Sequence, residues 1–458
     1  MKGQSLIELL IAIGIFVAMV SAVGFILIGS YISNLQAREG VIAVSLAEEG
    51  LEAARSIRNE SWDDLTAGSH GLAVAGGQWT FSGVQEDISS ELEKGVRKVI
   101  VEDPGFDRKI ITSKITWELT EGRPQDISLA TSLTNWKGLA KWSDPSEEGS
   151  LNISGSQDGL KIQAQGNYAY LVRAGGSPDF VIIDITDIQN PFIAGSLSLS
   201  GNPRDIAISG NYAYVASDSD SQELQIVNIS NPATPSVIGT YNAPGSADAN
   251  GIYFSGSSVY LVRSSSSQNE FLIINVSDPN LPTISGSINL NAAANDVVVL
   301  GNYAHIASSH DSQELQIVNL TLPSSPSLIG SYNLSNDSNG LSITGFGNRV
   351  ILGRANGSIY LFNVENPASP SLSGSFDTRG SVNDMSLGND NNYVFLAADS
   401  GNAEFQIVDI SAPALPGLIG SFDLSPNAGI YGVAYHQGKD RVFAASQVND
   451  REFIIFAP

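Results

Sequence analysis

A short apolar strand ending in Asp or Asn recurs through the C-terminal two-thirds of this 458-residue chain, and that recurrence limits the fold more than any other feature. It appears as Phe180-Val181-Ile182-Ile183-Asp184-Ile185 and as Leu224-Gln225-Ile226-Val227-Asn228-Ile229. It returns at 271–276, 315–320, 359–364 and 405–410, and last as Phe453-Ile454-Ile455-Phe456. The spacing is about 44 to 48 residues. A fixed period of this length marks a repeat architecture, in which each unit buries its apolar face against its neighbours. Most copies are followed by Asn-Pro or Asp-Pro, a second proline, and a strand such as Ser236-Val237-Ile238-Gly239-Thr240-Tyr241. Each unit divides into four short strands. In the second unit they are expected at 205–209, 212–216, 223–229 and 236–241, with Ser209-Gly210-Asn211 as the first turn. Four strands in such a period, repeated radially, make a β-propeller.

The motif resembles the LVIVD repeat, a propeller family of exported bacterial and archaeal proteins, over roughly residues 148–458. Seven first strands are present but only six complete fourth strands, because the chain stops at Pro458. Gly149-Ser150-Leu151-Asn152-Ile153-Ser154 aligns without gaps on Gly330-Ser331-Tyr332-Asn333-Leu334-Ser335. The expectation is therefore seven blades, the last closed by this N-terminal strand, which removes the exposed edges of an unfinished sheet.

The N-terminus sets a second constraint. After Met1-Lys2-Gly3-Gln4-Ser5-Leu6-Ile7-Glu8 there is no formal charge from Leu9 to Gln36. That is long enough to cross a hydrocarbon core about 30 Å thick. A carboxylate at the edge of such a run is costly in lipid. Gly3-Gln4-Ser5-Leu6-Ile7-Glu8 resembles the class III signal of type IV pilins and pseudopilins, with Gln4 where that family usually has Phe or Met. The resemblance implies cleavage by a prepilin peptidase after Gly3, N-methylation of Gln4, and a mature fifth residue, Glu8, that meets the Gln4 amine of the next subunit during assembly. Residues four apart share a helix face, so the Gln4 amine and Glu8 are neighbours. Pairing offsets much of the cost of either charge in an apolar bundle. Two plainer readings stand beside this one: a secretory signal peptide cut at Val20-Ser21-Ala22, and a simple membrane anchor.

Past Arg38 the helix turns amphipathic, with Val44, Ala47, Leu51 and Ala54 on one stripe. Strands follow at 78–81, 96–101, 110–119 and 127–136, with a turn at Asp103-Pro104-Gly105. Helix plus antiparallel strands is the small α+β pilin head. The domain reading is a leader over 1–3, a pilin helix over 4–58, a sheet head over 59–136, a linker over 137–147 and the all-β propeller over 148–458.

Chemistry is sparse. Formal net charge is −24, which argues against nucleic acid and anionic lipid as partners of the soluble part. There is no cysteine, so stability rests on packing. His70, His305, His310 and His436 form no metal-ligand pattern and read as surface residues. No catalytic constellation emerges, and the chain is read as no enzyme and as carrying no cofactor. One pattern is a candidate site. The residues opening the first strands run Gly159, Asp205, Gly251, Asp296, Gly340, Asp384, Gly432. First strands are innermost, so Asp205, Asp296 and Asp384 should stand at one channel mouth. There they either hold a hard cation such as Ca²⁺ through oxygen or bond local backbone amides.

The functional expectation is a filament subunit that displays the propeller for binding or adhesion. Its partners are copies of itself or other pilins, the prepilin peptidase, the inner membrane before assembly, and a surface glycan or protein target. It starts in the inner membrane with its C-terminus extracytoplasmic and ends extracellular. The rivals are a membrane-tethered scaffold and a propeller enzyme.

Overall fold

Helix α1 runs unbroken from Gln4 to Glu60, as the absence of proline before Pro104 allows. The computed structural model describes residues 4–62, 64–105, 108–134, 142–155, 157–389, 391–399, 401, 403–424 and 428–458. The side chains of 4–9, 103–105, 108 and 134 lie outside that description. The chain divides into two compact units, Met1–Trp136 and Lys137–Pro458.

In the first unit the two halves of α1 differ. Leu10, Phe16, Phe25, Ile26 and Tyr31 are all exposed. An apolar surface on every side suits lipid or a helix bundle rather than water. By length and composition this segment can cross a membrane. Further on, Ala43, Ala47, Leu51, Ala54 and Ile57 are buried, while Val44 of the expected stripe is only half-buried. They pack on an antiparallel sheet ordered Gln78–Ser82, Gly68–Ala75, Val96–Gly105, Arg108–Glu118, Pro124–Thr134, with Glu86–Asp87 beside Val96–Gly105. The strand Gly68–Ala75 was not anticipated. The 96–101 strand runs on through the expected turn to Gly105, which pairs with Arg108.

Gly50 lets the helix lie directly on the sheet, since a Cβ there would overlap the Ser113 hydroxyl. Beside it the buried Arg97 guanidinium donates to Glu86 at 2.7 and 3.0 Å, to Glu49 at 2.7 Å and to the Leu46 carbonyl at 3.1 Å. Its charge is thus answered by two carboxylates, one from each layer, which is the condition for tolerating a buried cation.

The second unit is a series of four-stranded antiparallel sheets, seven among the described residues. We number them I to VII, spanning 159–197, 203–241, 249–288, 294–332, 340–377, 381–422 and 430–457. Sheet II shows the pattern: Pro203–Ser209, Tyr212–Ser217, Leu224–Asn228 and Ser236–Tyr241, paired in that order. Sheet VII has only three strands of its own; its fourth is Ser146–Leu151, antiparallel to Phe453–Ala457. The core lies between sheets. Tyr170, Val172 and Phe180 of sheet I, for example, cluster with Ile206, Val215 and Val227 of sheet II.

Each outer strand carries a glycine after a bulge. At Gly195, Gly239, Gly286, Gly330 and Gly374 an added Cβ would overlap the carbonyl of a proline in the next sheet's loop. At Gly420 the Trp142 carbonyl takes that place. Trp142 is 1% exposed and stands edge-on to Phe395 at 4.7 Å between ring centres. The sheet unit therefore begins before 148. Residues 142–147, expected as linker, include Trp142 and the first residues of the Ser146–Leu151 strand, and 137–141 lie outside the described residues.

Candidate functional site: a carboxylate ring on the inner strands

The register of the inner strands differs from the sequence expectation at two places. Every inner strand has a bulge near its start. Counted from that bulge, the equivalent residues are Lys161, Asp205, Gly251, Asp296, Ser342, Asp384 and Gly432. Gly159 and Gly340 sit two positions earlier. The signal that sets the register is the apolar residue that follows: Ile162, Ile206, Ile252, Val297, Ile343, Met385 and Val433 are all buried. Lys161 and Ser342 escape a reading from sequence because the glycines two positions earlier, Gly159 and Gly340, look like the strand openings in both sheets.

The three carboxylates are clasps between sheets. Asp205 accepts from the amide of Ile206 at 2.8 Å and from Ile252 of sheet III at 2.8 Å. Asp296 accepts from Val297 at 2.7 Å and from Ile343 of sheet V at 2.8 Å. Asp384 accepts from Val433 of sheet VII at 2.9 Å, and its other oxygen pairs with the Lys161 ammonium at 2.7 Å. Lys161 also donates to the Asn383 carbonyl at 3.2 Å. The neighbouring asparagines repeat the device. Asn250, Asn295 and Asn383 donate to the carbonyls of Ala294, Gly340 and Ile430, each in the following sheet.

Electrostatics follow from burial and mutual distance. Burial pushes the Asp205 carboxyl up to about 7; Lys161 opposes that and Asp296 adds to it. Burial likewise lifts Asp296 to about 6 against the pull of Lys161. Burial would depress the Lys161 ammonium, but Asp384, Asp205 and Asp296 outweigh it and hold the ammonium above its ordinary range. The structure thus brings the three predicted aspartates together with a lysine as counter-charge. Both oxygens of each are engaged by amides or by that ammonium. No group of three or more His, Cys, Asp or Glu is placed to hold a metal ion among the described residues.

A second buried set surrounds the start of the third strands. Glu223, Glu270, Glu314, Glu404 and Glu452 are each about 1% exposed or less. Each accepts from a backbone amide, in turn Ala243, Leu290, Leu334, Leu424 and Ile153, at 2.8–3.0 Å, and Glu270 accepts from Ser266 as well at 3.3 Å. In sheet I, Asp179 does the same for Leu199. Arg173, Arg263 and Arg354 are buried at the ends of second strands, and Arg354 pairs with Glu314 across the sheets at 3.3 Å.

The histidines correct one expectation. His305 is buried, not on the surface, and among the described residues neither ring nitrogen makes a hydrogen bond of good geometry, although the Val298 backbone lies close enough to favour its charged form. Burial drives it down to about 4. It lines a cavity of about 130 Å³ with Tyr303, Asn348 and Glu365. At the N-terminus, Gly3 lies outside the described residues. Gln4 and Glu8 are helical, with side chains outside the description.

The model of the LVIVD repeat matches residues 158–198, 200–243, 248–290, 292–334 and 380–424. These are sheets I–IV and VI. The solved structure of U3-55K is similar at 12% identity, over 69% of this chain and 98% of that one, with a TM-score of 0.52. The computationally designed Ika8 protein is similar at 10% identity, over 68% of this chain and 99% of that one, with a TM-score of 0.49. The likeness to U3-55K is of fold alone. No curated protein matches the chain in sequence. The chain carries LVIVD repeats on a β-propeller fold, behind a long apolar N-terminal helix.

Proposed function

We propose that this chain is a structural subunit of a type IV pilus-like filament or pseudopilus, and that it displays a closed seven-bladed propeller for binding or adhesion. The observation that carries the reading is α1. One continuous helix has a bare apolar first half, and its second half packs on an antiparallel sheet of the same unit. A helix bare on all sides needs a covering: lipid before assembly, then the helices of other subunits. Closure of the propeller is supported by the pairing of Ser146–Leu151 with Phe453–Ala457. It is supported too by Gly432 of sheet VII, where an added Cβ would overlap the backbone of Leu160 and Lys161 of sheet I. In this reading cleavage follows Gly3, Gln4 becomes the new amine, and Glu8 pairs with the amine of a neighbouring subunit. The propeller binds rather than catalyses, and it passes from the inner membrane to the cell surface with the filament.

The test is intact-mass and N-terminal sequencing of the mature protein from membrane and sheared surface fractions. A chain beginning at Gln4, methylated or not, in the sheared fraction is the expected result. A chain beginning at Met1 and confined to the membrane would make it a tethered scaffold. One beginning at Val23 would make it an ordinary secreted protein and remove the role of Glu8.

A further inference from the structure

A cavity of about 290 Å³ lies where the end of sheet II meets sheet III. Its wall includes Tyr241, Ser267, Gln268, Asn269, Leu272 and Ile284. The loop on its rim is unusual. The backbone amide that closes it runs from Arg263 to Glu270, whereas the same bond joins Ser217 to Glu223 and Ser308 to Glu314. Sheet III thus holds one residue more there than sheets II and IV, and the surplus falls in Ser264–Asn269, a run of hydroxyls and amides. Gly245, at φ +87°, gives way beneath the Gln268 side chain, whose Cγ would lie 2.9 Å from a Cβ there. The loop is therefore seated rather than loose.

The lining chemistry narrows the ligand. Arg263 is buried in the wall, with donors to the carbonyls of Ala247, Pro244 and Asn269 at 3.2, 2.9 and 3.5 Å. A fixed cation disfavours a cationic guest. The net charge of −24 disfavours an anionic one at longer range. Asn269 is tied to Ser287 at 2.7 Å. The Tyr241 hydroxyl and the Gln268 side-chain amide have no hydrogen-bond partner among the described residues. Leu272 and Ile284 supply an apolar wall, and Ile284 is 46% exposed. Hydroxyl and amide groups on one side with aliphatic surface on the other match a molecule with hydroxyls at its edge and C–H groups on its face. The volume is close to the lower end of small-molecule sites, about 300–1,000 Å³. We propose that this cavity is a binding site for a neutral saccharide of one or two rings, with Tyr241 and Gln268 reading its hydroxyls. The site lies within sheets II and III and does not depend on the filament reading.

The experiment is saturation-transfer NMR on the full chain, held in a detergent without a sugar headgroup. The probes are maltose, cellobiose, lactose and N,N′-diacetylchitobiose, with glucuronic acid and glucosamine as charged comparisons. At least one neutral disaccharide should bind in the millimolar range. Tyr241→Phe and Gln268→Ala should each weaken it about fivefold, the worth of one hydrogen bond. Tyr303→Phe, remote from the cavity, should leave affinity unchanged. No binding of any neutral probe at tens of millimolar would overturn the proposal. So would charged sugars binding as tightly, or an unchanged affinity in the Tyr241→Phe, Gln268→Ala double variant with unaltered melting. The measurement needs no filament, so failure of either reading leaves the other standing.

Discussion

Gly420→Ala tests whether the segment before residue 152 completes the last sheet. The new methyl would overlap the Trp142 carbonyl, as the methyl of Gly239→Ala would overlap the Pro279 carbonyl. Both obstacles are backbone atoms and cannot rotate away. Overpacking of this kind costs about 1–3 kcal/mol, and the stiffer unfolded chain returns roughly 0.4–1. The net is a loss of about 1–2 kcal/mol. For a unit the size of Lys137–Pro458 the unfolding entropy is roughly 0.7 kcal/mol per K, so the melting temperature should fall by about 1.5–3 °C. Gly417→Ala is the control on the same strand, because nothing lies within 4 Å of its added Cβ; it should be neutral or slightly stabilising. The assay is calorimetry of the full chain in detergent, with near-UV circular dichroism as a second probe. If Gly239→Ala lowers the transition and Gly420→Ala behaves like Gly417→Ala, Trp142 is not packed on sheet VI and the closing strand is wrongly placed. If neither substitution matters, the account of the bulge glycines fails.

Three further outcomes are expected. His305 resists protonation when folded, with a value of about 4 against an ordinary 6.5, so its contribution is complete above about pH 6.5 and lost as pH falls towards 4. The loss is about 3 kcal/mol, and His305→Phe should flatten that acid slope in urea midpoints taken on either side of the window. Glu314→Ala removes the carboxylate beside the fully buried Arg354, leaving the guanidinium to the carbonyls of Ser335, Asn336 and Ser338, and also frees the Leu334 amide, so it should cost up to about 3–5 kcal/mol. Glu404→Ala, where no arginine pairs with the carboxylate among the described residues, should cost nearer the 1–3 kcal/mol of an unmet amide; equal losses would count against the buried pair. Lys161→Met removes the counter-charge of carboxyls already raised to about 7 and about 6. A raised carboxyl stabilises below its unfolded value and loses that as pH rises through its folded one. The variant should therefore match the parent near pH 4 and fall behind it above pH 7, and a constant offset at all pH would refute the ring electrostatics.

Much of the architecture was legible because it repeats. Strands three and four of sheet II, at 224–228 and 236–241, fall where the apolar period and the paired prolines put them. The strand from Gly149 could be aligned on Gly330 because both glycines face the same loop position of a following sheet. The inner strands were harder. Their bulges are set by hydrogen bonding rather than composition, so Gly159 and Gly340 were mistaken for the equivalents of Lys161 and Ser342. Trp142 was hidden in a polar stretch, since its carbonyl, not its side chain, stands in for a proline carbonyl. His305 occupies the place of Tyr170, Tyr214, Tyr260, Phe395 and Phe443 in other sheets. A lone histidine carries no periodic signal of burial, whereas alignment on those aromatics would have given it.

The clasps also have a parity. Sheets II, IV and VI supply Asp205, Asp296 and Asp384; sheets III, V and VII answer with a backbone amide beside Gly251, Ser342 and Gly432. An Asp facing another Asp would repel, and a small residue facing another would leave both amides without the bond. The smallest interchangeable module is thus a pair of sheets. Sheet I stands outside the pairing, and Lys161 fits it there by reaching past sheet VII to Asp384. Insertions or deletions in this array should be tolerated in twos, with II–III exchangeable for IV–V, while removal of sheet III, IV, V or VI alone would set like against like on the inner face.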